Sequence, residues 1–221
     1  RMVLVPYLQH RAIESIDALI ISHDDRDHSG GLQSVLKMMP VERFYSSREG
    51  LTPERNNLVC QQGQSWQWDG VSFEMLHPLP DDYDNLNRDT NAASCVLKIT
   101  SDYGSVLLPA DIGRKGENAL LSRDRDGLPA TILVAPHHGS NTSSTAAFIQ
   151  QVNPKLTIFT VGYRNRYSHP REEVIERYRT LGYKKLRSDH DGAILLKFTN
   201  EGLLVERWRV LKRRYWQQAW E

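Results

Sequence analysis

The apolar positions of the chain fall into short runs separated by polar loops, a pattern typical of a domain that mixes strands and helices. The β-branched and aliphatic run at 18–21 predicts a buried strand. After a polar loop, apolar residues recur with the i, i+3, i+4, i+7 spacing of a helix that ends at a proline: Leu32, Val35, Leu36, Met39 and Pro40. This opening pattern predicts a strand, a loop and a helix.

Further strands and helices follow from the same reading of the remaining chain. The predicted strands are 41–45, 71–76, 95–100, 105–108, 131–135, 156–161, 193–199 and 203–210, and the predicted helices are 144–152 and 171–181. Turn residues join two of the strand pairs as hairpins, at Asp102-Tyr103-Gly104 and at Asn200-Glu201-Gly202. Because the helices fall between groups of strands, the pattern favours an α+β fold with packed sheets and outer helices.

Length and charge narrow the possible classes of protein. A chain of 221 residues with 39% hydrophobic residues is long enough for one globular domain, predicted at 1–210, followed by a basic aromatic tail at 211–221. The net charge of only +1 excludes a strongly polybasic nucleic-acid binder. Any anionic ligand must therefore be bound by local groups.

The cysteines and the apolar runs exclude two further classes. Cys60 and Cys95 are too few for a disulfide-dense scaffold, and one bridge or two thiols both remain open. The apolar runs at 18–21 and 132–135 are far shorter than the roughly 20 residues of a membrane helix. The chain opens without a methionine and within an apolar segment, which predicts a soluble fragment of a longer protein.

The polar loop after the first strand is dense in residues of metal-ligand type. It reads His23-Asp24-Asp25-Arg26-Asp27-His28. In an extended segment residues two apart point the same way, so His23 and Asp25 can share one ion, while Asp27 and His28 can face a second. The competing interpretation is a solvated charged loop in which Asp27 or Ser29 caps the helix. The density of the pattern favours metal binding.

Other candidate residues follow predicted strands, where sites commonly form. Asp111 follows 105–108, His137 and His138 follow 131–135, and His169 lies in a later loop. Each has an ordinary alternative, a turn aspartate or exposed imidazoles. The Gly139-Ser140 pair favours a ligand at the histidines, because glycine permits close backbone approach and the hydroxyl can bind a phosphate oxygen. No ligand cluster is evident around His10 or His190, and His77 ends a strand beside an acidic loop; an ordinary structural role is favoured for all three.

Taken in order, these motifs resemble the metallo-β-lactamase superfamily. They are His23-x-Asp25-x-Asp27-His28, Leu107-Leu108-Pro109-Ala110-Asp111, Pro136-His137-His138-Gly139-Ser140 and Arg166-Tyr167-Ser168-His169-Pro170. The His-His-Gly-Ser motif resembles more narrowly the branch at the C-terminus of ComEC competence DNA-uptake channels. The resemblance implies an αββα sandwich, with the first strands and the first support turn of that fold missing before Val3.

The resemblance also implies roles for individual residues. His23 and Asp25 would bind one ion, Asp27 and His28 the other, Asp111 both, and His137 would complete the second, although His137 and His138 remain alternatives as ligand. Asp27 is expected to orient the nucleophilic water and His169 to assist the leaving oxygen. The remaining substrate-binding candidates are Asn91, His138, Ser140, Arg164 and Arg166.

The site departs from the superfamily pattern at two positions, and these departures bear on the metal. Asp25 replaces one histidine, and Asn91-Ala92-Ala93-Ser94 stands where another is usual. Oxygen ligands favour harder ions, so the expected cofactors are two divalent ions, with Mn²⁺ or Mg²⁺ favoured and Zn²⁺ as the alternative, and no organic cofactor is expected.

The expected function is metal-dependent hydrolysis of DNA phosphodiesters during natural transformation. Tyr163-Arg164-Asn165-Arg166-Tyr167 and the basic aromatic tail interleave cations with rings, as single-stranded DNA binding requires. The resemblance further implies a membrane channel in the same protein and an inner-membrane location, with the extracytoplasmic side favoured. The alternatives are a metallohydrolase of a small ester or amide, and a non-catalytic DNA-binding or scaffolding module.

Overall fold

A computed structural model of the chain describes residues 3–48, 50, 57–85 and 89–213. These residues form two compact units, the first from the described residues within 1–64 and 75–96 and the second from those within 65–74 and 97–221. Both helices and strands are abundant, so the predicted α+β class is confirmed. Most of the predicted basic tail, from residue 214 onward, lies outside the described residues.

The first unit is built around a parallel three-stranded sheet with the order β1-β2-β3. Its elements are α1 (Leu4–His10), β1 (Ile16–Ile21), α2 (Arg26–Ser29), α3 (Leu32–Met38), β2 (Val41–Ser46) and β3 (Asn57–Val59). Two 3-10 helices, Pro80–Asn85 and Thr90–Ala93, complete the unit.

The apolar residues whose spacing predicts the helix before Pro40 are also residues that pack in the core of this unit. Val35 and Met39 lie in one buried cluster with Val5 of α1, while Leu32 packs with Ile21 and Phe44. Helix α3 ends where Met39 becomes extended, as expected for the residue before a proline. The sheet and this helix together fix the position of the polar loop between them.

A disulfide joins Cys60 and Cys95 in the first unit, which resolves the alternative left open by the sequence. The bond spans a sequence separation of 35 residues. Closing a loop of that length in the unfolded chain is worth roughly 3–4 kcal/mol in the chain-entropy model. The Cys95 N–H also donates to Ser22 O at 2.9 Å. This hydrogen bond holds Cys95 next to the end of β1.

Most strands of the second unit belong to a seven-stranded sheet with the order β10-β9-β8-β7-β6-β5-β4 or to a separate hairpin, β11-β12. The strands are β4 (Ser65–Trp68), β5 (Val71–His77), β6 (Val96–Ser101), β7 (Gly104–Leu108), β8 (Ile132–Val134), β9 (Leu156–Phe159), β10 (Lys185–Arg187), β11 (Ile194–Thr199) and β12 (Gly202–Arg207). The helices are α4 (Arg114–Arg123), α5 (Ala146–Val152), α6 (Glu172–Thr180), α7 (Ser188–Asp191) and α8 (Trp208–Leu211).

Strands β7, β8 and β9 are mutually parallel, and this decides where the candidate residues of the second unit lie. Their carboxyl ends share one edge of the sheet, so the segments that follow β7 and β8 are neighbours. The His137 N–H donates to Ala110 O at 2.9 Å, which joins these two segments directly.

The last predicted strand is longer than the observed one. The sequence predicts a strand at 203–210, but β12 ends at Arg207 and Trp208 begins helix α8. The reason is pairing: Arg207 lies opposite Ile194, where β11 begins, so residues beyond Arg207 have no partner strand in this hairpin. Trp208 is 56% exposed, so its ring is not part of the buried core.

Among the residues that the structure describes, no helix is both long enough and apolar enough to cross a membrane.

Candidate functional site

The first group of candidate ligands lies directly after β1. His23 is fully buried, and its Nε2 lies 3.8 Å from Oδ2 of Asp25. One turn of helix, α2, then presents Asp27 and His28, with 3.7 Å between Asp27 Oδ2 and His28 Nε2. Ligands that share one ion at bonds of about 2.0–2.2 Å lie about 3–3.5 Å apart, so both pairs need only a small adjustment to bind an ion.

Ser22 contacts the back of both imidazoles in this group. Its Oγ lies 3.2 Å from Nδ1 of His23 and 3.1 Å from Nδ1 of His28, and the two rings are 4.0 Å apart between centroids. A hydroxyl oxygen has two lone pairs, so it can accept from both Nδ1–H groups. In that arrangement the free lone pair of each imidazole lies on Nε2, the atom that faces the carboxylates. A metal ion binds this lone pair, so this is the tautomer that metal binding requires.

Asp25 is oriented in the same way by Thr90. The Thr90 hydroxyl donates to Asp25 Oδ1 at 2.7 Å, and the other carboxylate oxygen, Oδ2, is the one that faces His23. Thr90 opens the 3-10 helix Thr90–Ala93, which Asp89 caps by accepting from the Asn91 N–H. The contact between Thr90 and Asp25 therefore depends on a segment 65 residues away in the chain.

Asn91 lies next to Thr90 in this segment, where the sequence predicts a substrate-binding residue. Its Oδ1 is buried and accepts no hydrogen bond from any described residue. A buried amide oxygen without a donor is costly, and a hard divalent cation or a substrate donor would satisfy it. This observation is consistent with an oxygen-rich ligand set in the first unit.

The second group of candidate ligands follows β7 and β8 in the other unit. Asp111 is 4% exposed, and its Oδ2 lies 3.7 Å from His137 Nε2 and 3.6 Å from His138 Nε2. Both histidines have left-handed backbones, with φ of 48° and 55°, a conformation that costs about 1–3 kcal/mol per residue. Strain of this size persists only where the surrounding structure fixes it, and here it directs two adjacent imidazoles to one carboxylate.

Gly139 makes the tight turn after the two histidines possible. Its φ is +83°, and a Cβ there would lie 2.6 Å from Pro170 Cβ and 2.8 Å from the Phe159 ring. No other residue type fits this position without displacing its neighbours. The sequence pattern had suggested that Gly139 permits close approach of a ligand, whereas the structure shows close approach of the chain itself.

The back of each imidazole in this group also has an oxygen partner. His138 Nδ1 lies 2.8 Å from Thr160 O, and a carbonyl only accepts, so the proton lies on Nδ1 and the lone pair on Nε2. His137 Nδ1 contacts Thr142 Oγ1 at 3.2 Å. Both histidines thus present Nε2 to Asp111, and the geometry makes both of them ligand candidates.

A buried network holds the loop that carries Thr142. Glu117 is fully buried and accepts from the backbone N–H groups of Ser144 and Thr145 at 2.5 and 2.8 Å. Burial raises the pKa of the Glu117 carboxyl, and these hydrogen bonds and nearby Arg177 oppose that rise. Ser140, predicted to bind substrate, is only 5% exposed, and its Oγ lies 3.0 Å from Thr142 Oγ1. The contact of Ser140 with Thr142 supports this loop, and the contact of Ser140 with substrate stays a prediction.

His169 lies near the second group without joining its carboxylate. Its ring centroid is 5.9 Å from that of His137, and Tyr167 stacks on it at 5.8 Å. Burial lowers the pKa of His169, and the neighbouring His137 and Arg171 lower it further. Arg164 and Arg166 belong to the same loop, where their guanidinium groups lie 5.1 and 4.6 Å from the Tyr163 and Tyr167 ring centroids.

The supporting residues in both units were missed by sequence reasoning. Ser22 stands directly before the first motif and could have been suspected from that position alone. Nothing in the local sequence marks the other supporting residues, because their partners lie far along the chain: Thr90, Glu117 and Thr160.

The donor set in each unit fits divalent metal ions. The Nε2 atoms of the imidazoles lie less than 4 Å from carboxylate oxygens. An oxygen atom contacts Nδ1 on the other side of each of these rings and orients it. Residues 1–162 match the Metallo-beta-lactamase superfamily. The chain belongs to this superfamily. Membership confirms the family predicted from the motifs and implies binding of divalent metal.

Similar proteins agree with this assignment. The chain is 38% identical over 215 residues to "Competence protein ComA" of Neisseria gonorrhoeae, covering 97% of the chain and 30% of that protein. It is 29% identical over 211 residues to "ComE operon protein 3" of Bacillus subtilis, covering 90% and 26%. The chain therefore spans less than a third of the length of these relatives.

A solved structure supports the fold. Igni18, a metallo hydrolase from Ignicoccus hospitalis, superimposes with a TM-score of 0.51 at 13% identity, covering 86% of this chain and 78% of that one. At this identity the likeness shows a shared fold alone. Together with the family match over residues 1–162, it confirms the predicted metallo-β-lactamase fold.

Proposed function

We propose that this metallo-β-lactamase-fold chain hydrolyses DNA phosphodiester bonds during DNA uptake, with two divalent ions as cofactors. The observation that carries the proposal is the repeated pairing of imidazole Nε2 atoms with carboxylate oxygens, each imidazole oriented from behind by an oxygen atom. Relatives named as competence proteins supply the link to DNA uptake.

The proposed metal ligands come from both groups. In the first unit they are His23, Asp25, Asp27 and His28, and in the second unit Asp111, His137 and His138. Divalent ions, when bound, lower the pKa of water and stabilise charge on the phosphate and on the leaving oxygen. This chemistry is the reason that a phosphodiester is a suitable substrate.

Two side chains of the chain are proposed to handle protons. Asp27, with a side chain 61% exposed, can reach solvent and accept a proton from the attacking water. His169 carries a ring nitrogen, Nδ1, that is buried without a hydrogen-bond partner among the described residues. A proton there would be unsatisfied, so the neutral ring favours a proton on Nε2, from which it can donate a hydrogen bond that stabilises charge on the leaving oxygen.

The loop from Tyr163 to Tyr167 is the proposed contact surface for single-stranded DNA. Both tyrosines are more than half exposed, and each has an arginine guanidinium over its ring. Rings stack on bases while cations bind phosphates, which together favour a single strand over a duplex. Because the chain as a whole is nearly neutral, this local surface has to supply much of the attraction.

Replacing Arg164 and Arg166 together by alanine is expected to weaken binding of a single-stranded oligonucleotide and to flatten its salt dependence. If each arginine binds one phosphate, the slope of log K against log salt falls by about 0.7 per arginine. Fluorescence anisotropy at several salt concentrations measures both effects. Metal content should stay the same, because neither arginine is a ligand candidate.

A matched control removes the same charge from elsewhere in the second unit. Arg179 and Lys184 are exposed and lie on or beside α6, outside the 163–167 loop. Their double alanine variant should keep the full salt slope. An unaltered salt slope in the Arg164 and Arg166 variant would show that this loop is not part of the DNA-binding surface.

The disulfide supports a location on the oxidising side of a membrane. Bonds such as Cys60–Cys95 persist in the periplasm or outside the cell and are rare in the cytosol. We place the chain, as a domain of an inner-membrane protein, on the extracytoplasmic side, beside the channel portion proposed for the same protein.

The test of the proposed function is hydrolysis by the purified chain after chelation and readdition of single metals. Labelled single-stranded DNA, duplex DNA and a panel of small carboxylic esters and amides serve as substrates. Metal-dependent cleavage of DNA supports the proposal. Cleavage of the small substrates alone indicates a small-molecule metallohydrolase, and metal-free, inactive protein that still binds DNA indicates a binding module.

A further inference from the structure

The loop between β9 and α6 places His169 by an unusual contact with a single side chain. The Asn165 amide binds the backbone of His169 on both sides: Oδ1 accepts from the His169 N–H at 2.9 Å, and Nδ2 donates to His169 O at 2.6 Å. Nδ2 also donates to Gly162 O at 3.2 Å. One amide therefore ties the start of the loop to the peptide groups that flank the histidine.

The orientation of this amide is fixed by its partners. A backbone N–H needs an acceptor and a carbonyl needs a donor, so only the observed placement of Oδ1 and Nδ2 satisfies both. An aspartate at this position would keep the acceptor for the His169 N–H but would place a second oxygen against two carbonyl oxygens. Asparagine is thus specified by the geometry, although it lies between two exposed arginines.

The imidazole of His169 lacks a comparable anchor of its own. Among the described residues, no hydrogen-bond partner reaches its buried Nδ1. Its ring is oriented by stacking on Tyr167 and by the edge contact with His137. Both of these ring contacts require the backbone of His169 to lie where the Asn165 amide holds it.

We propose that Asn165 is a positioning residue, which holds the His169 imidazole so that its Nε2–H meets the leaving oxygen. The proposal rests on the proposed phosphodiesterase function and goes beyond it by naming the residue that makes His169 effective. A proton donor displaced by about 1 Å loses much of its effect, so the rate should respond to Asn165 even though its side chain contacts only backbone.

Substrates with different leaving groups separate this role from simple support of the loop. The sugar alkoxide released from DNA is a poor leaving group unless a proton donor stabilises its oxygen, whereas p-nitrophenolate leaves readily without one. Asn165→Ala and Asn165→Asp are therefore expected to lower kcat on single-stranded DNA by about 10- to 100-fold, within the range of one general acid. Hydrolysis of bis(p-nitrophenyl) phosphate should fall by less than about 3-fold, which is negligible beside that range.

Three companion measurements make the experiment decisive. Asn118→Ala, in the exposed face of α4, is the matched control and should leave both rates unchanged. The double variant Asn165→Ala with His169→Ala should be no slower on DNA than His169→Ala alone. Metal content and melting temperature of Asn165→Ala should match those of the unmodified chain to within error.

Other results would overturn the proposal. Equal losses on both substrates would indicate general damage to the site, and losses that multiply in the double variant would show that Asn165 does not act through His169. Should the unmodified chain hydrolyse neither substrate with any metal, the proposed function fails, and NMR then decides on the positioning role separately. The nuclear Overhauser contact between the His169 and Tyr167 rings should weaken in Asn165→Ala, and an unchanged contact would refute the clamp.

Discussion

Asp111→Ala is expected to abolish DNA hydrolysis, with a loss of at least about 100-fold, and to lower the metal bound per chain. Asp111 is almost fully buried, and one of its oxygens faces the Nε2 atoms of both His137 and His138. Without it the two imidazoles lose the shared carboxylate that would hold a cation between them. Elemental analysis of the purified variant and a DNA cleavage assay measure the two effects.

Asp27→Ala is the companion variant in the first unit and is expected to have the same outcome. Its fold should survive, because Asp27 lies on an exposed turn. His10→Ala and His190→Ala are the controls, since neither histidine belongs to a ligand group, and both should keep full metal content. Full metal and full activity in both aspartate variants would show that the metal site is misassigned.

Hydrolysis of DNA is expected to be strongest with Mn²⁺, and Asp25→His is expected to shift the preference towards Zn²⁺. Asp25 supplies a carboxylate where a histidine is usual in the superfamily, and Thr90 holds that carboxylate in place. Asn91, next to Thr90, has a buried amide oxygen that accepts no hydrogen bond from the described residues. Oxygen ligands suit Mn²⁺ and Mg²⁺, whereas imidazole suits Zn²⁺, although zinc remains the tighter binder at a given site.

Activity after chelation and readdition of each metal measures this preference. The ratio of the Mn²⁺ rate to the Zn²⁺ rate should be above about 10 in the unmodified chain and should fall by a similar factor in Asp25→His. Asp24→His is the matched control, because the Asp24 carboxylate pairs with Arg48. Maximal activity with zinc and none with manganese in the unmodified chain would refute the ligand argument and leave the fold assignment intact.

Local sequence determined a large part of the fold. Strands β1 and β2 and the helix between them follow from apolar spacing and from Pro40, because these signals act over a few residues. The elements that escaped prediction are short or weakly patterned, such as β3 and β10 with three residues each, and α4, which has Gly116 in its interior. Such elements form only because neighbouring strands or helices cover them.

The sequence by itself also determined which residues are candidates for chemistry, because ligand-type side chains cluster after strands in recognisable motifs. Only the tertiary structure decided how they are held. Ser22 stands behind two imidazoles, Thr90 orients Asp25 from 65 residues away, and Thr160 sets the tautomer of His138. The Thr90 and Thr160 contacts join segments far apart in the chain, so their physical cause is the packing within each folded unit, which no local pattern encodes.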